Sequence, residues 1–161
     1  MERTYAGIGS RDTPGDILLT MKNLSSILSR RGYKLRSGHA KGADKAFEHG
    51  ELYGHKEIFI AEDSIGKDDW FELAEKVHPA GGRCNEWAKR LHARNGAIIL
   101  GENLNDPVDF VICWTKDGKA SGGTGQALRI AEAYAIPVYN LYHKDTIKRL
   151  KVNGLITENS I

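Results

Sequence analysis

A chain of 161 residues, 40% hydrophobic and 27% charged, has the size and composition of one soluble globular domain spanning 1–161. Its formal net charge of +2 argues against a protein that coats long stretches of nucleic acid, which is usually more basic. No apolar run approaches the roughly 20 residues of a membrane span, and the start MERTYAG carries no signal-peptide pattern, so the expected setting is the cytoplasm, with no membrane partner.

The elements follow in alternation. Residues 4–8, TYAGI, predict a first strand. Thr13 is placed to cap a helix with Pro14 at its first position. Ile17, Met21, Leu24 and Leu28 then give that helix one apolar stripe, and Gly32 ends it. YKLRS (33–37) predicts a second strand. It runs into the polar turn SGHAKGA and a helix whose Ala43, Ala46, Phe47 and Gly50 form a small-residue face. KEIFIA (56–61) predicts a third strand. Residues 62–82 are the least regular, with a helix expected over Asp68–Val77. Residues 83–95 predict a helix with Trp87 and Leu91 on one face. DFVICW (109–114) reads as a buried fourth strand, SGGTG as a glycine turn into another helix, and IPVYNL (136–141) as the fifth strand. A short terminal helix is expected after His143.

Strands alternating with helices predict a mainly parallel five-stranded sheet covered on both faces, a Rossmann-like three-layer sandwich. In such sheets ligands bind where strand ends meet helix starts. That rule puts residues 7–11, 37–44 and 115–125 on one rim. Glycine-rich turns entering helices expose backbone N–H groups at the positive end of the helix dipole and favour an anion. Gly7, Gly9, Ser10 and Arg11 lack the third glycine of a dinucleotide fingerprint, since Asp12 stands there, and Arg36 lies where a ribose-binding acid would be. Gly122, Gly123, Thr124 and Gly125 are not a Walker loop, because no Lys-Ser/Thr follows. The three turns together point to a phosphate site.

Asp44 and Glu48, four apart, share a helical face. Asp44 reads either as an acid favouring the helix dipole or as a ribose acceptor or general acid/base, with Glu48 a second candidate. Arg90 and Arg94 are also four apart and either form a solvated face or reach a phosphate, with Asn95 beside Arg94. Trp114 and Thr115 end the fourth strand on the ligand rim, where Trp114 is either core or a platform for a base. Cys84 and Cys113 stand in no ligand-like spacing and read as reduced thiols. The six histidines form no HExxH or similar pattern. Neither a metal nor a cofactor is expected.

GYKLRSGHAKGAD resembles the glycine-serine signature of the DNA-processing protein A (DprA/Smf) family. RLHARNGAII resembles its Arg-Asn motif, and SGGTGQALRIAEAYAIPVYNL its later glycine turn, helix and strand, in the same order. The resemblance extends to the wider SLOG superfamily, which includes the Lonely Guy phosphoribohydrolases. YAGIGSR at the start and CWT before GGTG look most like small stand-alone members carried by bacteriophages, which would place the chain in a host cytoplasm. It implies a Rossmann-like fold with a phosphate site lined by Ser37, Gly38, Ala40, Gly42 and Asp44, with Arg94 and Asn95 opposite. The Lonely Guy pattern PGGxGTxxE is broken here: Gln126 follows GGTG and Arg129 stands in place of the glutamate. The DNA-processing family also carries further domains that this length leaves no room for, so the resemblance does not carry recombinase loading over to this chain.

The leading expectation is a protein that binds a nucleotide or nucleotide-derived signal. One alternative is a nucleotide N-glycosidase using Asp44 or Glu48 against an oxocarbenium-like transition state. Another is a single-stranded DNA binder acting in recombination, using Arg11, Arg36, Arg83, Arg90 and Arg94. A second copy of the chain, in a homo-oligomer, is the remaining expected partner.

Overall fold

The structure is a computed structural model and describes residues 2–159. Apolar runs bounded by glycines and polar turns form five strands: β1 (Thr4–Gly7), β2 (Lys34–Ser37), β3 (Lys56–Ile58), β4 (Phe110–Cys113) and β5 (Val138–Asn140). Between and after them lie α1 (Gly15–Arg30), α2 (Ala43–Gly50), a short 3₁₀ turn (Ala61–Ser64), α3 (Asp68–Val77), α4 (Glu86–Leu100), α5 (Gly122–Ala133) and α6 (Thr146–Val152). The strand order is β3-β2-β1-β4-β5, and every neighbouring pair is parallel.

Side chains alternate across such a sheet, and the two cores follow that alternation. Ala6, Val111 and Cys113 face one side, packed with Ala93, Ala97 and Ile98 of α4, Ala127, Ile130 and Ala131 of α5, and Trp70 of α3. Tyr5, Leu35, Phe110 and Ile112 face the other, packed with Met21, Leu24 and Leu28 of α1, Phe47 of α2 and Leu150 of α6. This is the three-layer, Rossmann-like sandwich expected, and both faces of the sheet are dry because parallel crossovers cover them.

Three local expectations are corrected. Pro14 is the N-cap residue of α1 rather than its first helical residue. The Thr13 hydroxyl donates to the Ser10 carbonyl at 2.6 Å instead of capping. The helix expected over 83–95 begins at Glu86, capped by the Asn85 side chain accepting from the Ala88 N–H at 2.9 Å. It runs on to Leu100 and is buried throughout from Ala93. A helix segment buried all round loses the one-sided periodicity that marks its end in sequence. No described helix is long and apolar enough to cross a membrane.

After β3 the chain passes through α3 and α4 and returns on the far side of β1 as β4. The order of construction therefore reverses between β1 and β4, and a crevice opens over their carboxyl ends, where the two crossovers leave in different directions.

Candidate functional site: a cleft over the carboxyl edge of the sheet

The crevice is an open cleft of about 1010 Å³. Residues 8–12 after β1, Thr115, Lys116 and Asp117 after β4, and residues 121–124 at the start of α5 line it. Ala40 and Asp44 lie below, and α4 closes the side with Trp87, Leu91, His92, Arg94 and Asn95. Tight backbone contact brings the turns together. The Ser10 N–H donates to the Trp114 carbonyl at 3.1 Å. A side chain at Gly9 would fall 2.6 Å from the Ala43 Cβ, and one at Gly42 within 3.1 Å of the Ser10 and Arg11 backbone. Gly42 also has φ of +93°, a left-handed conformation that glycine adopts without strain.

The floor is an acid and a base, both buried. Asp44 is 4% exposed and Arg94 9%. Asp44 faces the N–H groups of Ala40, Gly38 and Gly9 and accepts that of Ala40 at 3.3 Å. Arg94 Nη1 donates to the carbonyls of Gly38 at 2.8 Å and Phe59 at 3.2 Å, and its Nε donates to Asn95 Oδ1 at 3.0 Å. A side chain at Gly38 would land on the Arg94 guanidinium and 2.9 Å from Asp44 Oδ2, so glycine is what lets the two groups lie on either side of this backbone. Burial pushes the Asp44 carboxyl up to about 6 against the opposing pull of Arg94 and the backbone N–H groups. Burial likewise lowers the Arg94 value, with Asp44 opposing. Desolvation thus outweighs the mutual attraction of the two groups, as expected for charges taken out of water.

This changes the reading of the SGHAKGA turn. Its N–H groups were expected to cradle a phosphate, but those of Gly38 and Ala40, with that of Gly9, hold the Asp44 carboxylate. Nor is Asp44 a cap, since Gly42 is the N-cap residue of α2 and no side chain caps that helix. Anion-binding capacity remains at the third turn. No described residue accepts from the first-turn N–H groups of Gly122, Gly123 and Thr124, whereas the Gly125 N–H returns to the Ser121 carbonyl at 3.0 Å. A Cβ at Gly122 or Gly123 would meet nothing within 4 Å, so this backbone is open to an incoming group. Asn95 Nδ2 steadies it by donating to the Gly123 carbonyl at 3.3 Å. Exposed Arg11 and Lys116 stand on the same rim.

Of the expected site residues, Gly9, Ser10, Arg11, Ala40, Asp44, Arg94, Asn95, Thr115, Gly122, Gly123 and Thr124 line the cleft. Others lie outside it for identifiable reasons. Gly7 is required by packing, since a Cβ there would sit 2.5–2.8 Å from the Phe47 ring. Ser37 is fully buried and donates to the Gly7 carbonyl at 2.6 Å, tying β2 to β1. Gly125 is pressed against the Ala120 backbone. Trp114 packs against the core on the α1 side. Glu48 turns away from the cleft, pairing with His39 at 2.6 Å and Lys56 at 3.4 Å. The helical face expected to carry both acids therefore splits, Asp44 into the cleft and Glu48 onto the α2 surface. Arg36 is buried against Glu57 and Asp106, Arg90 pairs with Glu86 at 3.7 Å, and Arg83 Nε donates to the Ala80 carbonyl at 3.0 Å, so none of the three lines the cleft. Arg129 is held by the Gln126 side chain at 2.9 Å.

Sequence reasoning missed Trp87 as a site residue. It is 52% exposed and lines the cleft. The signal was present: a tryptophan in the second residue of a helix, two turns before the Arg94-Asn95 pair, lies one face away from the apolar run that buries the helix.

Fold and crevice together define a Rossmann-like α/β protein with an open cleft at its topological switch point. No family model and no curated protein matches the chain. Among solved structures it is similar to DNA processing protein A from Helicobacter pylori, a structure described for its single-stranded DNA binding mode. The TM-score is 0.59 at 17% identity, over 97% of this chain and 74% of that one. The chain therefore has a fold like that of DNA processing protein A.

Proposed function

We propose that the cleft binds single-stranded DNA, with a backbone phosphate on the first turn of α5 and a base against Trp87. One observation carries the reading: unpartnered N–H groups at a helix start, two exposed cations and an exposed tryptophan border one open cleft. Single strands are held by this combination of phosphate-directed charge and aromatic platforms. The fold neighbour's single-stranded DNA binding supports the same assignment. The near-neutral net charge of +2 fits a short contact rather than a long electrostatic track.

A mononucleotide or nucleotide-derived signal is the second reading. The buried Asp44–Arg94 floor supports it, because a ribose or base edge reaching the floor would find a carboxyl and a guanidinium. An N-glycosidase would have Asp44 as its carboxyl group, with a proton to give near pH 6, and would lack Glu48.

Fluorescence anisotropy with a labelled oligothymidylate separates these readings. Contact with two or three phosphates gives log K against log salt a slope of about −1.4 to −2.1. Loss of base stacking in Trp87→Ala costs about 1–3 kcal/mol. Absence of binding at low salt, or full displacement by thymidine monophosphate at equal affinity, would overturn DNA as the ligand and favour the mononucleotide. Base released from a nucleoside monophosphate would favour the glycosidase.

A further inference from the structure

A second cavity, of about 290 Å³, lies on the other side of α4 and is lined by the end of α3, the connection that follows it, and the outer face of α4. Three side chains with metal-binding atoms converge on it from separate segments. His78 follows α3, Cys84 lies in the connection and His92 projects from α4; one ligand-capable atom from each lies within 4.8 Å of the others. The Cys84 sulfur is 3.9 Å from His78 Nδ1 and 4.0 Å from its Nε2. The two imidazole centroids are 4.3 Å apart. His92 Nδ1 is buried without a hydrogen-bond partner, an unmet polar atom of the kind a bound ion would satisfy. Cys84 is a free thiol.

We propose that His78, Cys84 and His92 form a zinc site. A thiolate with two imidazoles is a donor set suited to Zn²⁺. Tetrahedral zinc, at about 2.3 Å from sulfur and about 2.0–2.1 Å from nitrogen, holds such atoms about 3.6 Å apart. The observed 3.9–4.0 Å is within reach of a small side-chain adjustment. His78 Nδ1 accepts from the Ala80 N–H at 2.9 Å, and turning the ring onto a metal gives up that bond. On binding, the Cys84 thiol loses its proton to solvent and the sulfur donates an electron pair to the metal. Water, or Glu75 from the same cavity, takes the fourth position. The site ties the end of α3 to α4 and fixes the connection that leads into Trp87. His92 lines both this cavity and the cleft, so the metal would brace the cleft wall whichever ligand the cleft takes.

Cobalt(II) substitution of the metal-free protein provides the test. The expected result is one Co²⁺ per chain, with the intense visible bands of tetrahedral coordination and a thiolate-to-cobalt charge-transfer band, all displaced by Zn²⁺. Cys84→Ser should remove the charge-transfer band, and both Cys84→Ser and His78→Ala should weaken metal binding about a hundredfold or more, since even residues that only orient metal ligands cost 10–100-fold. His49→Gln, on the exposed end of α2, should change neither. A wild-type protein that gives only the weak spectrum of hexaaqua cobalt, or a charge-transfer band that persists in a folded Cys84→Ser variant, would overturn the site. The wild-type spectrum decides the matter even if a variant fails to fold.

Discussion

At the scale of single residues, Asp44 shows how burial and function meet. Its carboxyl is raised from 3.8 to about 6, first by burial, with Arg94 and three backbone N–H groups opposing. In that window the folded protein binds more protons than the unfolded chain. The stability contribution of Asp44 is therefore greatest below about pH 4 and falls as pH rises to about 6, then levels off. At 1.36 kcal/mol per unit the difference is about 3 kcal/mol. Asp44→Asn cannot titrate, so wild type should lose about 2–2.5 kcal/mol of stability relative to the variant from pH 4 to pH 7, read from guanidinium midpoints. Parallel pH curves would show that the carboxyl is not buried as described. The sequence placed Asp44 on the ligand rim but not its three N–H partners. Those depend on Gly9 and Gly38 arriving from two different strands, and no local spacing records such a meeting. Glu48 failed as a partner for the converse reason. Helical spacing puts it on the Asp44 face, yet His39 and Lys56, outside the helix, draw it away.

At the scale of elements, glycines that look alike in sequence do opposite things. Gly123 opens the first turn of α5 to the cleft, and a Cβ there meets nothing within 4 Å. Gly7 ends β1 under the Phe47 ring, and a Cβ there would overlap it at 2.5–2.8 Å. Gly123→Val should therefore fold with nearly unchanged stability and lose DNA binding, because its branched side chain stands where the phosphate would approach. Gly7→Ala should lose about 1–3 kcal/mol through overpacking and bind normally once folded. Chemical denaturation paired with anisotropy reads both. A destabilised Gly123→Val with intact affinity would reverse the assignment. The elements themselves were legible because most advertise their ends: α3 spans the residues its pattern predicted, and the strands are apolar runs with turn residues beside them. The end of α4 was hidden, because residues 93–100 are buried on every side. Trp114 was hidden too, since a tryptophan at a strand end fits core and platform equally until the helices are placed.

At the scale of the whole molecule, the strand order β3-β2-β1-β4-β5 decides where chemistry can occur. It gathers turns distant in sequence at one switch point and leaves α4 to close the cleft, with Trp87 at its rim and Arg94 at its floor. Alternation of strands and helices made the rim legible. The division of labour among the turns was not, because it depends on which N–H groups the protein satisfies itself: two turns serve Asp44 and the third stays open. Backbone amide resonances of ¹⁵N-labelled protein titrated with oligothymidylate test that division directly. The largest shifts are expected at Gly122, Gly123, Thr124 and Arg11 and at the Trp87 indole N–H, with the Gly38 and Ala40 amides much less affected. Shifts confined to the cavity around His78 and Cys84, or to the outer strands, with the α5 amides unmoved, would contradict that division.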